Sequence, residues 1–282
     1  MISKNSKLII FGSKSFVSKK IIQKLKINNI NLYEIHREIA DLLNIEDCEK
    51  ILNEINDGDS ILFVAGRVPV KNLEMFIQNI QICKNICYIL EKKQINHITY
   101  LSSDAVYKDS NTKIDENSVC EPDSLHGLMH LSREKYLESQ FNDRICIIRP
   151  TLIYGIDDPH NGYGPNKFFR NALKNENIEL FGKGEEKRDH VFVNDVAEII
   201  VRLINISYIG KLNIVSGETI SFFEIASLVK KIINLNLKII FKKRNGPMPH
   251  NGYRSFNNKK IFDLFPDFQF TKIESWLEQI QK

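Results

Sequence analysis

The chain is poor in everything that would mark a special class of protein. It has five cysteines, Cys48, Cys83, Cys87, Cys120 and Cys146. Their number is odd and no pair has C-x-x-C spacing, so neither a disulfide framework nor a zinc ribbon is indicated. Cys83 and Cys87 fall one helical turn apart among Phe76, Ile80 and Leu90 and read as part of a packed helix face. Thirteen glycines and eight prolines in 282 residues exclude collagen-like and low-complexity chains. No apolar run approaches the roughly 20 residues of a membrane span, and Met1-Ile2-Ser3-Lys4-Asn5 has no signal-peptide pattern. A cytoplasmic protein with no membrane contact is therefore expected. Charge of one sign is also lacking: 39 Lys plus Arg against 35 Asp plus Glu leave +4. Such a balance suits an anionic ligand but lacks the basic stripe of a nucleic-acid binder, so no nucleic-acid partner is expected.

What is present is rhythm. Short β-branched runs at residues 7–11, 31–36, 60–65, 97–101 and 145–149 alternate with helical patterns at 15–26, 45–56, 72–93 and 125–141. That alternation predicts βαβ units and a doubly wound parallel sheet, with ligands at the carboxyl ends of the strands. Beyond Pro150 the pattern loosens. A Gly/Pro/Asp/Asn-rich loop at 155–166, helices near 167–175, 194–205, 222–234 and 273–281, and strands near 211–215 and 237–241 remain legible. The expected division is a dinucleotide-binding domain over 1–155 with a returning segment at about 190–216, and a smaller, partly interleaved lobe from 156–189 and 217–282.

Several stretches carry chemistry. Ile10-Phe11-Gly12-Ser13-Lys14-Ser15-Phe16-Val17-Ser18 follows a strand and opens a helix, where backbone amides and a helix N-terminus can approach a pyrophosphate. Gly12, Ser15 and Ser18 hold the places of G-x-x-G-x-x-G, although an ordinary strand-to-helix turn would look similar. At the end of the second strand, where an acidic residue usually meets the adenosine ribose, stand His36 and Arg37. A basic pair there favours NADP over NAD, or is a solvated strand end. Asp41 can accept from the adenine amino group or simply begin the next turn. Tyr100-Leu101-Ser102-Ser103-Asp104-Ala105-Val106-Tyr107 sets two hydroxyls at a strand end, placed to bond a reacting carbinol or carbonyl.

These stretches together resemble the extended short-chain dehydrogenase/reductase superfamily, specifically its NAD-dependent epimerase/dehydratase family acting on nucleotide-activated sugars. The resemblance is carried by Gly12, by Phe63-Val64-Ala65-Gly66, by Ser-Ser-x-x-Val-Tyr at Ser102 to Tyr107, by Arg-Pro-x-x-x-Tyr-Gly at Arg149 to Gly155, and by Arg188-Asp189 with Asp195-Val196-Ala197. It implies a Rossmann fold of the extended type, with Val64, Ala65 and Gly66 lining the cofactor crevice beside Gly12, Ser15, Phe16 and Val17. It implies that Ser103, with Asp104, holds the sugar's reacting oxygen. It further implies that Asn166, Arg188 and, more loosely, Arg254 contact the diphosphate, although each arginine could instead be a surface ion pair. The family often dimerises through the helices that here are 72–93 and 125–141, so a homodimer is expected.

The sequence departs from the family at its acid/base pair. Where the family has Tyr-x-x-x-Lys, Leu125-His126-Gly127-Leu128-Met129-His130 places histidines at both positions. A tyrosine near pKa 10 needs a neighbouring cation to exchange protons at neutral pH, whereas histidine needs none. His126 is thus a candidate acid/base, and His130, on the same helix face, a candidate holder of the nicotinamide ribose. Tyr107 can offer a phenol from the opposite wall, although the resemblance implies a structural role at this position, and Lys135 and Tyr136 lie too far along the helix to replace the missing pair.

Three readings compete. One is a His-based oxidoreductase using NADP, with NAD as the alternative, on a nucleoside-diphosphate sugar: a 4-keto reductase or a 4-epimerase in glycan biosynthesis. The second is a binder of sugar nucleotide or dinucleotide without turnover. The third, a metal site on the two histidines, has no evident third ligand, and no metal is expected.

Overall fold

The structure is a computed structural model and describes residues 6–27 and 29–281; the Met1-Ile2-Ser3-Lys4-Asn5 stretch lies outside them. In chain order the first elements are β1 (Leu8–Phe11), α1 (Phe16–Ile27), β2 (Leu32–Ile35), α2 (Ile45–Leu52), β3 (Ser60–Phe63), α3 (Leu73–Glu91), β4 (His97–Leu101), α4 (Leu125–Phe141) and β5 (Ile145–Pro150). There follow β6 (Leu152–Tyr154), α5 (Pro165–Leu173), β7 (Ile178–Phe181), β8 (Lys187–Arg188), β9 (His190–Phe192), α6 (Val193–Asn205) and β10 (Gly210–Ile214). The last are β11 (Ile220–Ser221), α7 (Phe222–Ile232), β12 (Ile239–Lys242), β13 (Tyr253–Arg254), α8 (Lys259–Leu264) and α9 (Ile273–Gln281).

The chain divides into two compact units. The first comprises the chain to Lys108, Glu116–Pro150 and Val196–Ile214; the second comprises Asp109–Asp115, Thr151–Asp195 and Val215–Lys282. The first unit thus closes at Pro150, short of the expected residue 155, and gives up the short Asp109–Asp115 segment.

The first unit is built on one six-stranded sheet of order β10-β5-β4-β3-β1-β2, parallel at every pair. β1, β3 and β5 are buried along their whole length, as strands covered on both faces must be, and this is why they read as unbroken apolar runs. The order reverses between β1 and β3, which places a topological switch point outside their carboxyl ends. One core cluster packs β1, β3, β4 and β5 against α2, α3 and α4, and it includes Cys48, Cys83 and Cys87. All five cysteines are free thiols.

The second unit has its own core, in which Phe168, Phe169, Ile178, Leu180, Phe222, Ile225 and Trp276 pack together. Trp276 meets Tyr154 edge-on at 5.0 Å, and Ser221 and Glu224 close a capping box on α7. Small sheets β11-β8-β13, β12-β7 and β6-β9 complete it. The sequence pattern missed most of them, because strands of two or three residues carry no measurable period. Among the described residues no helix is long and apolar enough to cross a membrane.

Candidate active site

The turn after β1 owes its shape to Gly12. Its φ is +93°, and a Cβ there would lie 2.7 Å from the Ala65 nitrogen, so only glycine lets the turn lie against the end of β3. The amides of Gly12 and Ser13 both donate to the Ile35 carbonyl, at 2.9 and 3.0 Å. Ser15 caps α1: its hydroxyl accepts from the Ser18 amide at 3.0 Å and donates to the Ser18 hydroxyl at 2.8 Å. The Phe16 and Val17 amides at the helix start then have no partner within the helix and carry its positive end. Ser13 is buried and its hydroxyl has no partner. A buried orphan hydroxyl beside a helix N-terminus fits a pyrophosphate. Val64 and Ala65 continue the β3 ladder by donating to the Phe11 carbonyl, at 2.9 and 2.8 Å.

At the end of β2, His36 is mostly buried with its Nδ1 unpartnered, 3.7 Å from the Glu38 carboxylate. Arg37 is exposed and lies 3.7 Å from Asp41, whose other oxygen accepts the Leu43 amide at 3.1 Å. Asp41 therefore begins the next turn. Lys14 joins this group by pairing with Glu38, a further basic residue that carried no signal in the sequence.

The turn after β4 and the start of α4 meet closely. A Cβ on Gly127 would fall 2.0 Å from the Ala105 carbonyl oxygen, so this glycine alone lets the first turn of α4 touch the Asp104–Val106 3-10 turn. Alternation along the strand sends the two serines opposite ways. Ser102 is buried and donates to Glu134 at 2.5 Å, while Ser103 stays half-buried and accepts the Ala105 amide at 3.1 Å. The contact brings His126 into the field of Asp104. His126 and His130 meet edge to face at 4.8 Å between ring centres. The Nδ1 of His126 is buried without a partner, and the Nδ1 of His130 is 2.9 Å from the Tyr100 hydroxyl. Burial holds His126 below its ordinary pKa, with the Asp104 charge opposing and the Arg133 charge assisting. His130 is held well below by burial, then by His126 and Arg133. Both rings are neutral at pH 7.

Two further residues of α4 were invisible in the sequence. Arg133 bonds the carbonyls of Ala65 and Asn79, at 2.9 and 3.0 Å. Gly66 leaves the room for this: a Cβ there would lie 3.1 Å from the Asn79 Oδ1. On the adjoining face Glu134 takes a two-pronged contact from Arg149, at 2.9 and 2.5 Å. Arg149 also donates to the Tyr107 hydroxyl at 2.8 Å, and Tyr107 donates to Asn213 at 2.6 Å. Tyr107 is thus a buried strut, with burial raising its pKa, and its phenol does not serve a crevice wall. Lys135 is exposed, 3.8 Å from Glu138, and Tyr136 lies 3.5 Å from Glu91.

In the second unit Asn166 spends its amide on the preceding loop, accepting from Gly155 at 2.9 Å and donating to Asp158 at 2.6 Å. Arg188 and Arg254 stand in register on neighbouring strands β8 and β13. Arg188 pairs with Glu186 at 3.2 Å, and Arg244 lies 3.6 Å from the same carboxylate. Arg254 bonds Asp109 and meets the His250 Nδ1 at 3.0 Å. Arg188 and Arg244 thus gather on Glu186, and Arg254 and His250 on Asp109. His250, Asn251 and Gly252 have φ of 52°, 50° and 81°, a strained left-handed run that sets His250 on Asp109. Beside it is a cavity of about 340 Å³ lined by Asp109, Ser110, Asn111, His250, Asn251 and Tyr253. Neither Asp109 nor His250 carried a signal in the sequence.

Residues 8–213 match the NAD dependent epimerase/dehydratase family. The chain belongs to that family. An epimerase/dehydratase relative, the N-acetyl-alpha-D-glucosaminyl-diphospho-ditrans,octacis-undecaprenol 4-epimerase of Escherichia coli O157:H7, is 23% identical over 255 residues, covering 83% of this chain and 76% of its own. Two solved structures share the fold. The GDP-L-fucose synthetase of Naegleria fowleri bound to NADP has a TM-score of 0.83 at 16% identity, covering 100% of this chain and 93% of that one. The GDP-6-OMe-4-keto-L-xylo-heptose reductase of C. jejuni has a TM-score of 0.81 at 16% identity, covering 99% and 97%. The curated relative is thus named as a 4-epimerase of a diphospho-linked sugar, and the two structures of like fold are named as a GDP-L-fucose synthetase and a GDP-sugar reductase.

Proposed function

We propose that this chain is an NAD(P)-dependent oxidoreductase acting on a nucleoside-diphosphate sugar, a 4-keto reductase or 4-epimerase of glycan biosynthesis, with His126 as its acid/base. The observation that carries this is the Gly127 contact on Ala105, which joins His126 to the Ser103–Asp104 turn at the carboxyl edge of the sheet. The bound dinucleotide supplies hydride acceptance or donation. The chain's own residues do the rest. Ser103 holds the sugar oxygen by its hydroxyl, His126 takes or returns the proton on that oxygen, and His130, pinned by Tyr100, orients the cofactor ribose.

Because His126 is neutral at pH 7, it works directly as a base when a sugar hydroxyl is oxidised. In the reducing direction it must first be protonated, so reduction speeds up as the pH falls toward its lowered pKa. Lys14, His36 and Arg37 favour NADP through its 2′-phosphate, while Glu38 and Asp41 leave NAD as the alternative. Arg188 and Arg254, in register on neighbouring strands, suit a diphosphate, which planar guanidinium forks meet in pairs. The name of the Escherichia coli relative contains a sugar diphosphate as well. Leu73 and Ile77 on α3 and Leu128 and Tyr136 on α4 are exposed, and these helices pack together. An apolar face of this kind supports a homodimer, which light scattering at micromolar concentration tests.

The deciding assay is NADPH oxidation with a 4-keto sugar nucleotide. Turnover is expected, falling about 10²- to 10⁴-fold in His126→Phe while cofactor binding persists. Tight binding of sugar nucleotide without any turnover would replace this reading with that of a binder.

A further inference from the structure

We propose that Arg133 is the positioning residue of this site: a buried guanidinium that ties α4 to α3 and to the end of β3, and supplies the fixed positive charge beside His126 and His130. The proposal rests on reading His126 as the proton-transfer group. Arg133 is 2% exposed. Its Nε and Nη2 donate to the Asn79 carbonyl at 3.0 and 2.5 Å, Nη2 donates to the Asn79 Oδ1 at 3.0 Å, and Nη1 donates to the Ala65 carbonyl at 2.9 Å. Its guanidinium carbon lies 5.1 Å from the centre of the Phe63 ring. All four bonds end on uncharged acceptors. Burying a cation without a carboxylate costs several kcal/mol, and joining two carbonyls needs only an uncharged donor. The charge itself is the feature left to explain.

The groups around it show what that charge does. Tyr100 faces His130 from β4, Asp104 faces His126 from the following turn, and Cys83 and Cys87 share the Arg133 field from α3. The Asp104 carboxylate acts on His126 against the guanidinium. A positive field favours the deprotonated form of any neighbouring acid. A lysine beside a tyrosine draws the phenol down toward neutrality; an arginine further along the helix stripe that carries His126 and His130 adds to the burial that keeps both imidazoles free to accept a proton. Arg133 therefore takes up electrostatically the position that the missing lysine vacated, while its fork fixes the cofactor-side strand end against the helix that carries both rings.

The test is an NMR titration of the His126 ring in the full chain without cofactor or substrate, so it does not depend on turnover. Arg133→Gln removes the charge and is expected to move the midpoint up by about half a pH unit or more. Arg133→Lys keeps the charge, loses the fork, and should titrate near the wild type. Asn79→Asp leaves Arg133 in place but sets a carboxylate against it, and should also move the midpoint up; it decides the matter if Arg133→Gln does not fold. The proposal is overturned if folded Arg133→Gln or, where that chain does not fold, Asn79→Asp titrates with the wild type, or if wild-type His126 titrates at or above 6.5. A shifted titration in a chain without turnover would refute the oxidoreductase reading alone.

Discussion

Arg133 and Arg149 are both buried beneath the same sheet edge, and they teach opposite lessons. Arg149 meets a fully buried carboxylate, Glu134, and donates from its third nitrogen to Tyr107, so the charge is balanced and the group braces β4, β5, β10 and α4. Arg133, one residue before Glu134 on α4, bonds two carbonyls and an amide oxygen and lies over the Phe63 ring. One turn of helix thus carries a scaffold on one stripe and an unbalanced charge on the next. The balanced stripe, Gly127 and Glu134, decides where α4 sits; the unbalanced one, His126, His130 and Arg133, decides in which protonation state it works.

The sharpest way to break this contrast is to unbalance the balanced side. Glu134→Gln leaves Arg149 buried without its counter-charge and is expected to cost about 3–5 kcal/mol in denaturant unfolding, while the His126 titration stays within error. A moved titration would mean that the two stripes are one network. Next in size is Gly127→Ala. Its methyl group collides with the Ala105 carbonyl, which should cost about 1–3 kcal/mol of stability and more in kcat/KM than in unfolding free energy, because it parts His126 from Ser103. Equal losses in both would deny the glycine its role in alignment.

The smallest effect concerns pH. His130 is held well below its ordinary value, so the stability it contributes as a neutral ring is complete above pH 6.5 and is lost as the pH falls through that value toward the folded one. His130→Leu should therefore lose less stability than the wild type between pH 6.5 and 5. Parallel slopes for the two chains would show that the ring is not shielded.

Much of the fold was legible in advance. The six parallel strands and the helices between them announce themselves because a strand buried on both faces must be continuously apolar and a covering helix must repeat every 3.6 residues. The turn at Gly12 was likewise visible as a residue in pattern, and the histidine pair as residues out of it. Asn166 shows the limit. The family resemblance points it at a phosphate, yet its amide closes the 155–158 loop, a use that nothing in its neighbours announces. Asp109 and His250 lie far apart in sequence and meet only because a strained turn and two short strands bring them together.

Apolar periodicity and residue type are local properties, so the architecture and the presence of two histidines on α4 could be read from the order of residues. Tertiary structure alone decided their state. Whether a histidine is neutral depends on how deeply it is buried and which charges face it, and whether an arginine braces the scaffold or tunes the site depends on whether its fork ends on a carboxylate or on a carbonyl.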